Sequence, residues 1–108
     1  MTDAEVSIAC RPDAMSAEQR RRYHAVRREL GESVVETQEL PDGYTFEHPA
    51  DGTTLMLLAE FITLERLCCP FLHFTLELDG TGNTVRLKLT GDGAAKRVLE
   101  AEFQVVPG

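Results

Sequence analysis

Between residues 51 and 78 the apolar periodicity changes from helical to extended, and the change falls on Cys68-Cys69-Pro70. Leu57, Phe61, Leu64 and Cys68 recur at i, i+4, i+7 and i+11, one stripe of a helical repeat, and Leu58, Ile62, Glu65 and Cys69 form the neighbouring stripe. Asp51-Gly52-Thr53-Thr54 offers N-capping side chains ahead of Leu55, and Pro70 lacks the backbone donor that a further helical turn needs. The spacing predicts a helix over 55–68. Past the proline, Leu72, Phe74, Leu76 and Leu78 alternate with Phe71, His73, Thr75 and Glu77, the pattern of a strand over 71–78 with a single apolar face. An apolar helix running directly into a one-sided strand points to an α+β domain.

The flanking segments extend that reading. Residues 6–10 form a short strand candidate, broken by Arg11-Pro12-Asp13; Ser16-Ala17-Glu18-Gln19 is a capping-box signature. A helix over 17–30 follows, with Gly31 as its expected C-terminal cap. Residues 34–40 and 44–48 flank Pro41-Asp42-Gly43 and read as a hairpin. Val85, Leu87 and Leu89 alternate with Arg86 and Lys88, so a second hairpin sets Glu77 opposite Arg86. After Gly91-Asp92-Gly93, the residues Ala95, Val98, Leu99, Glu102 and Phe103 mark a last short helix. The resulting order is that of a ferredoxin-like split βαβ sandwich (βαββαβ) extended by a C-terminal strand and helix, with the helices on one face of an antiparallel sheet. A different α+β arrangement of the same hairpins and helices is the alternative. The 108 residues are expected to form one domain.

Composition narrows the function. At 43% hydrophobic and 27% charged the chain has the makeup of a folded domain and not of a disordered one. Its net charge of −7 opposes attraction to nucleic acid or to an anionic membrane, so neither is expected as a partner. Five of the eleven basic residues, Arg20, Arg21, Arg22, Arg27 and Arg28, lie on the first predicted helix. With Tyr23, Val26 and Leu30 as that helix's core side, they read as a solvated face. No apolar run approaches the roughly 20 residues of a membrane span. Asp3 and Glu5 stand where a secretory signal would carry basic residues, and a cytoplasmic location is expected. Three cysteines, two of them adjacent, do not form a disulfide framework, so the thiols are expected to be reduced.

Chemical signals converge on the segment Glu65-Arg66-Leu67-Cys68-Cys69-Pro70-Phe71-Leu72-His73-Phe74. Neighbouring thiols are soft ligands that favour Zn(II), Cu(I) and related thiophilic ions. Helical spacing puts the Glu65 carboxylate one turn from Cys69, and a ferredoxin-like topology would bring Cys10 to the same end of the molecule. The candidate metal-binding set is therefore Cys68, Cys69, Cys10 and Glu65, with Cys68 continuing the core stripe and Cys69 the more available thiol. Strand alternation sends His73 to the opposite face, away from this set.

Two other readings of the same residues remain open. In one, the cysteines are core residues of a non-catalytic interaction module that meets a protein partner, or a second copy as a homodimer, through the exposed sheet face or the arginine-rich helix. In the other, Cys68-Cys69 is a vicinal redox switch, strained because adjacent α-carbons are closer than a disulfide normally spans. No catalytic constellation is apparent, since a helix C-terminus and Glu65 both oppose thiolate formation. Gly91 and Gly93 could hold an anion on backbone N–H groups, but they match no phosphate-binding glycine pattern.

Glu65-Arg66, Cys68-Cys69-Pro70-Phe71 and Leu89-Thr90-Gly91, with Leu40-Pro41-Asp42-Gly43-Tyr44 as a looser upstream match, resemble a group of small, mostly uncharacterised bacterial proteins. That group carries Glu-Arg-x-Cys-Cys-Pro-Phe followed by a strand and a Leu-Thr-Gly turn, and the similarity spans residues 34–103. Such proteins occur beside mercury or other heavy-metal resistance functions. The resemblance implies heavy-metal binding and adds Hg to the Zn and Cu that soft thiolates favour.

Overall fold

A computed structural model describes residues 10–103. The first helix, α1, spans Ala17–Ser33 and opens with the expected capping box. The Ser16 hydroxyl accepts from the Gln19 N–H at 3.1 Å, and the Gln19 side chain accepts from the Ser16 N–H at 2.8 Å. A 3₁₀ turn, Pro12–Ala14, precedes it. Contrary to expectation, Gly31 lies inside α1, and Val34 is the C-cap. The extra turn is held from outside: the Ser33 hydroxyl donates to the Leu30 carbonyl at 3.1 Å and sits 2.9 Å from His48 Nδ1. Such contacts outweigh the roughly 1 kcal/mol by which a mid-helix glycine disfavours a helix.

Strands β1 (Glu36–Leu40) and β2 (Gly43–Pro49) pair antiparallel, with Leu40 opposite Gly43 across the two-residue turn Pro41-Asp42. Helix α2 covers Gly52–Cys68. Its cap is Asp51, whose carboxylate accepts from the Thr54 N–H at 2.8 Å and the Thr54 hydroxyl at 3.1 Å. Those two bonds hold the Asp51 carboxyl below its ordinary pKa. Asp51→Ala is expected to lower stability, read as an earlier urea midpoint with an unchanged denaturant slope.

Strands β3 (His73–Leu78) and β4 (Thr84–Thr90) form the second hairpin. Glu77 lies opposite Arg86, and Arg86 Nε is 3.2 Å from the Glu77 carboxylate, as the alternation required. Helix α3, Ala95–Phe103, closes the described chain. All strand pairs are antiparallel and the sheet order is β1-β2-β4-β3, so β4 is inserted between β2 and β3. The fold is α+β, with three helices and a four-stranded antiparallel sheet among the described residues. Of the strand expected at 6–10, residues 6–9 lie outside the described residues; Cys10 is not in a strand.

Tyr44 of β2 and Val85, Leu87 and Leu89 of β4 are buried together with Tyr23, Val26 and Leu30 of α1, Leu58, Phe61 and Leu64 of α2, and Leu99 of α3. Two expectations for the second hairpin need correction. The strand begins at His73, not at Phe71, because Cys69-Pro70-Phe71-Leu72 forms a turn in which the Leu72 N–H donates to the Cys69 carbonyl at 3.2 Å. The apolar face is also only partly covered: Leu72 is buried, whereas Leu76 and Leu78 are 41% and 47% exposed on an edge strand.

His48 is buried, and burial pushes its pKa below the ordinary 6.5. Above pH 6.5 it is neutral in both folded and unfolded chains, so its contribution to stability is complete there. As the pH falls below 6.5 the unfolded chain takes up a proton that the folded chain resists, and stability declines until the folded pKa is passed. Unfolding free energies of wild type and His48→Gln, compared between pH 7 and pH 5, should show a steeper decline in the wild type.

Candidate metal centre

The C-terminus of α2 brings the predicted thiols together. Cys68 closes the helix and Cys69 is its C-cap, where the Cys69 N–H donates to the Glu65 carbonyl at 2.7 Å. The Pro70-Phe71 turn then folds the chain back so that both cysteines are buried. Cys69 is therefore no more available than Cys68, contrary to the stripe argument: helical spacing shows which side a thiol faces but not what the following turn lays over it. Cys10 arrives from the N-terminal segment, where the Arg11 N–H donates to the Cys68 carbonyl at 2.7 Å. Met15, just beyond the 3₁₀ turn, is buried in the core and anchors that segment.

The sulfur atoms of Cys10, Cys68 and Cys69 all lie within 4.8 Å of one another. Cys10 Sγ is 2.7 Å from Cys69 Sγ. Cys10 is half-buried and forms the solvent side of the group. Burial pushes the Cys10 thiol up to about 12, with Glu102, Cys68 and Glu65 adding to the rise and the contact with Cys69 opposing it. Burial also raises the Cys69 thiol strongly, and Glu65 reinforces the shift. Burial thus favours the protonated thiol at Cys10 and Cys69, and a bound electrophile that replaces the protons supplies the driving force for thiolate formation.

Glu65 is fully buried on α2, one turn before Cys69. The Tyr23 hydroxyl donates to its Oε1, whereas Oε2 is left without a hydrogen-bond partner of normal geometry. Burial raises the Glu65 pKa, and the Tyr23 hydroxyl, the Cys69 thiol and Arg27 pull it down. Glu65 stands beside the thiols: among the described residues, the group of mutually close ligand atoms consists of the three sulfurs. Arg27 supplies positive charge, with Nη2 donating to the Glu102 carbonyl at 2.5 Å and the guanidinium lying 4.4 Å from the centre of the Phe103 ring. The sequence alone marks Tyr23 as a core residue and Arg27 as part of a solvated face. Their contacts join residues 42 and 75 positions apart, which leaves no local pattern to detect.

Other sequence candidates lie elsewhere or are committed to structural bonds. His73 is exposed at the start of β3, opposite Thr90. Arg22 forms a paired contact with Glu60 at 2.6 and 2.8 Å, and Arg20 donates to the Met15 carbonyl at 2.8 Å. The Gly91 N–H donates to the Asp42 carbonyl at 3.1 Å and so is not free to hold an anion. No helix among the described residues is long and apolar enough to cross a membrane. Comparison with family models, with curated proteins and with solved structures gives no match.

Proposed function

We propose that the protein binds a single thiophilic metal ion, of the Zn(II), Cu(I) or Hg(II) class, through Cys10, Cys68 and Cys69. The convergence of three sulfurs from two distant segments within 4.8 Å carries this reading. Soft thiolates select such ions, and the ion supplies the driving force for deprotonation that the buried surroundings withhold. Glu65 acts as the neighbouring carboxylate that tunes the thiols. The resemblance of the Glu65-Arg66 and Cys68-Cys69-Pro70-Phe71 motif to proteins found beside heavy-metal resistance functions supports the same reading, and a reducing cytoplasm would keep the thiols free.

Native mass spectra of the reduced protein, recorded before and after addition of Zn(II), Cu(I) or Hg(II), test it. One ion per chain, lost in Cys68→Ser and Cys69→Ser, is the expected result. A folded wild-type chain with three free thiols and no bound ion would refute it.

The 2.7 Å approach of Cys10 Sγ to Cys69 Sγ favours a second reading, a thiol redox pair. Two thiols would pass two electrons and two protons to a small-molecule disulfide, joining Cys10 to Cys69 and releasing two thiols. Mild oxidation would then remove two protons' mass from the chain and map to Cys10 and Cys69, not to the vicinal pair.

A further inference from the structure

This inference rests on the three-thiol reading above and names the class of ligand the centre selects. Three features of the site bear on that choice. First, the cluster offers three sulfur donors and, among the described residues, no fourth ligand atom equally close to all of them. Structural zinc sites are almost always four-coordinate. Trivalent arsenic and antimony bind three thiolates in a pyramid, with a lone pair in the remaining direction.

Second, the surroundings disfavour added negative charge. Cys68 and Cys69 are buried, Glu65 beside them is fully buried, and Glu102 acts on Cys10 from α3. Arg27 is the cation near these carboxylates, and its guanidinium is already engaged by Glu102. Three thiolates around a divalent ion leave a net charge of −1, and around a monovalent ion −2. Placing uncompensated charge in a buried site is expensive. Three thiolates around a trivalent ion are neutral.

Third, Glu65 Oε2 is a buried acceptor with no partner of normal geometry. A neutral trihydroxide entering past the half-buried Cys10 can donate a hydrogen bond to it on the way to the thiols, before its hydroxides leave as water.

We propose that the centre is built to capture a trivalent element presented as a neutral hydroxide, arsenite or antimonite, on Cys10, Cys68 and Cys69. The exchange balances without an oxidant or reductant: As(OH)₃ with three thiols gives As(SR)₃ and three waters. Three As–O bonds break and three As–S bonds form. Each thiol proton leaves with a hydroxide as water.

The test uses the full chain, reduced with a phosphine so that no competing thiol is present, and mixed with sodium arsenite, with Zn(II), or with equimolar amounts of both. High-resolution native mass spectrometry reads the adduct. The expected product is one arsenic per chain with three protons lost and no hydroxide retained, persisting when Zn(II) is present. Potassium antimonyl tartrate should yield the corresponding antimony adduct. An arsenic adduct that keeps a hydroxide would show only two thiols engaged and would overturn the proposal. Retention of Zn(II) with exclusion of arsenite would also overturn it while leaving the soft-metal function standing. Failure of Zn(II), Cu(I), Hg(II) and arsenite alike to bind the folded chain would remove both.

Discussion

A Cys10→Ser variant is expected to keep its fold and to bind thiophilic ions at least about a hundredfold more weakly than the wild type. Structural zinc sites yield about 10–16 kcal/mol from about four ligands, so one thiolate accounts for roughly 3 kcal/mol, and about 1.4 kcal/mol is tenfold in affinity. Cys10 is the cleanest of the three positions to test, because it is half-buried and lies outside every helix and strand. The bond that holds its segment to α2, from the Arg11 N–H to the Cys68 carbonyl, involves no side chain and survives the substitution. Competition against a chromogenic chelator gives the affinities, and circular dichroism checks the fold. Cys68→Ser and Cys69→Ser should also lose the ion, but each places a hydroxyl where a buried sulfur packed and will lower stability as well. An unchanged affinity in Cys10→Ser would confine the site to the vicinal pair.

Gly43→Ala should destabilise the protein by at least about 3 kcal/mol, the upper range for forcing atoms into a packed interior. Gly43 begins β2 directly after the Pro41-Asp42 turn and pairs with Leu40 on one side and Thr90 on the other. A Cβ at this position would collide with the Leu89 carbonyl oxygen and come within 2.8 Å of Thr90 Cα. These are backbone atoms of the central strand β4, and they cannot rotate away as a flexible side chain could. Relief requires β2 to move off β4, which would break the sheet at its middle pairing. A urea titration of Gly43→Ala beside Gly31→Ala makes the comparison internal, since a Cβ at Gly31 meets nothing within 4 Å and replaces a mid-helix glycine with a better helix former. Equal stability of the two variants would contradict this account of the β2–β4 contact.

The local parts of this structure were legible in the sequence. Capping chemistry at Ser16 and Asp51, the stop at Pro70 and the alternation of residues 84–90 each act within a few positions, and each appears where expected. Errors arose where a distant segment decides the outcome. Gly31 resembles a helix stop, yet Ser33 and His48 carry α1 past it. Leu76 and Leu78 have the alternation of core residues, but β3 became an edge strand and its far end stays exposed.

The candidate site divides in the same way. Helical spacing alone places Glu65 beside Cys69. The approach of Cys10 was expected from a strand ending near the end of the second helix, whereas Cys10 lies outside any strand and is placed by the neighbouring Arg11 N–H on the Cys68 carbonyl and by its own sulfur contact with Cys69. The tyrosine that holds Glu65 leaves no trace in a local window, because Tyr23 meets it only after α1 has packed on α2.

X-ray absorption at the edge of the bound element, measured on the one-ion-per-chain complex of the reduced protein, counts the sulfur atoms around it. Three sulfur neighbours are expected, falling to two or fewer in Cys10→Ser. A first shell of nitrogen and oxygen, or a pair of sulfurs in the wild type with the Cys10 thiol still open to alkylation, would contradict a centre built from Cys10, Cys68 and Cys69.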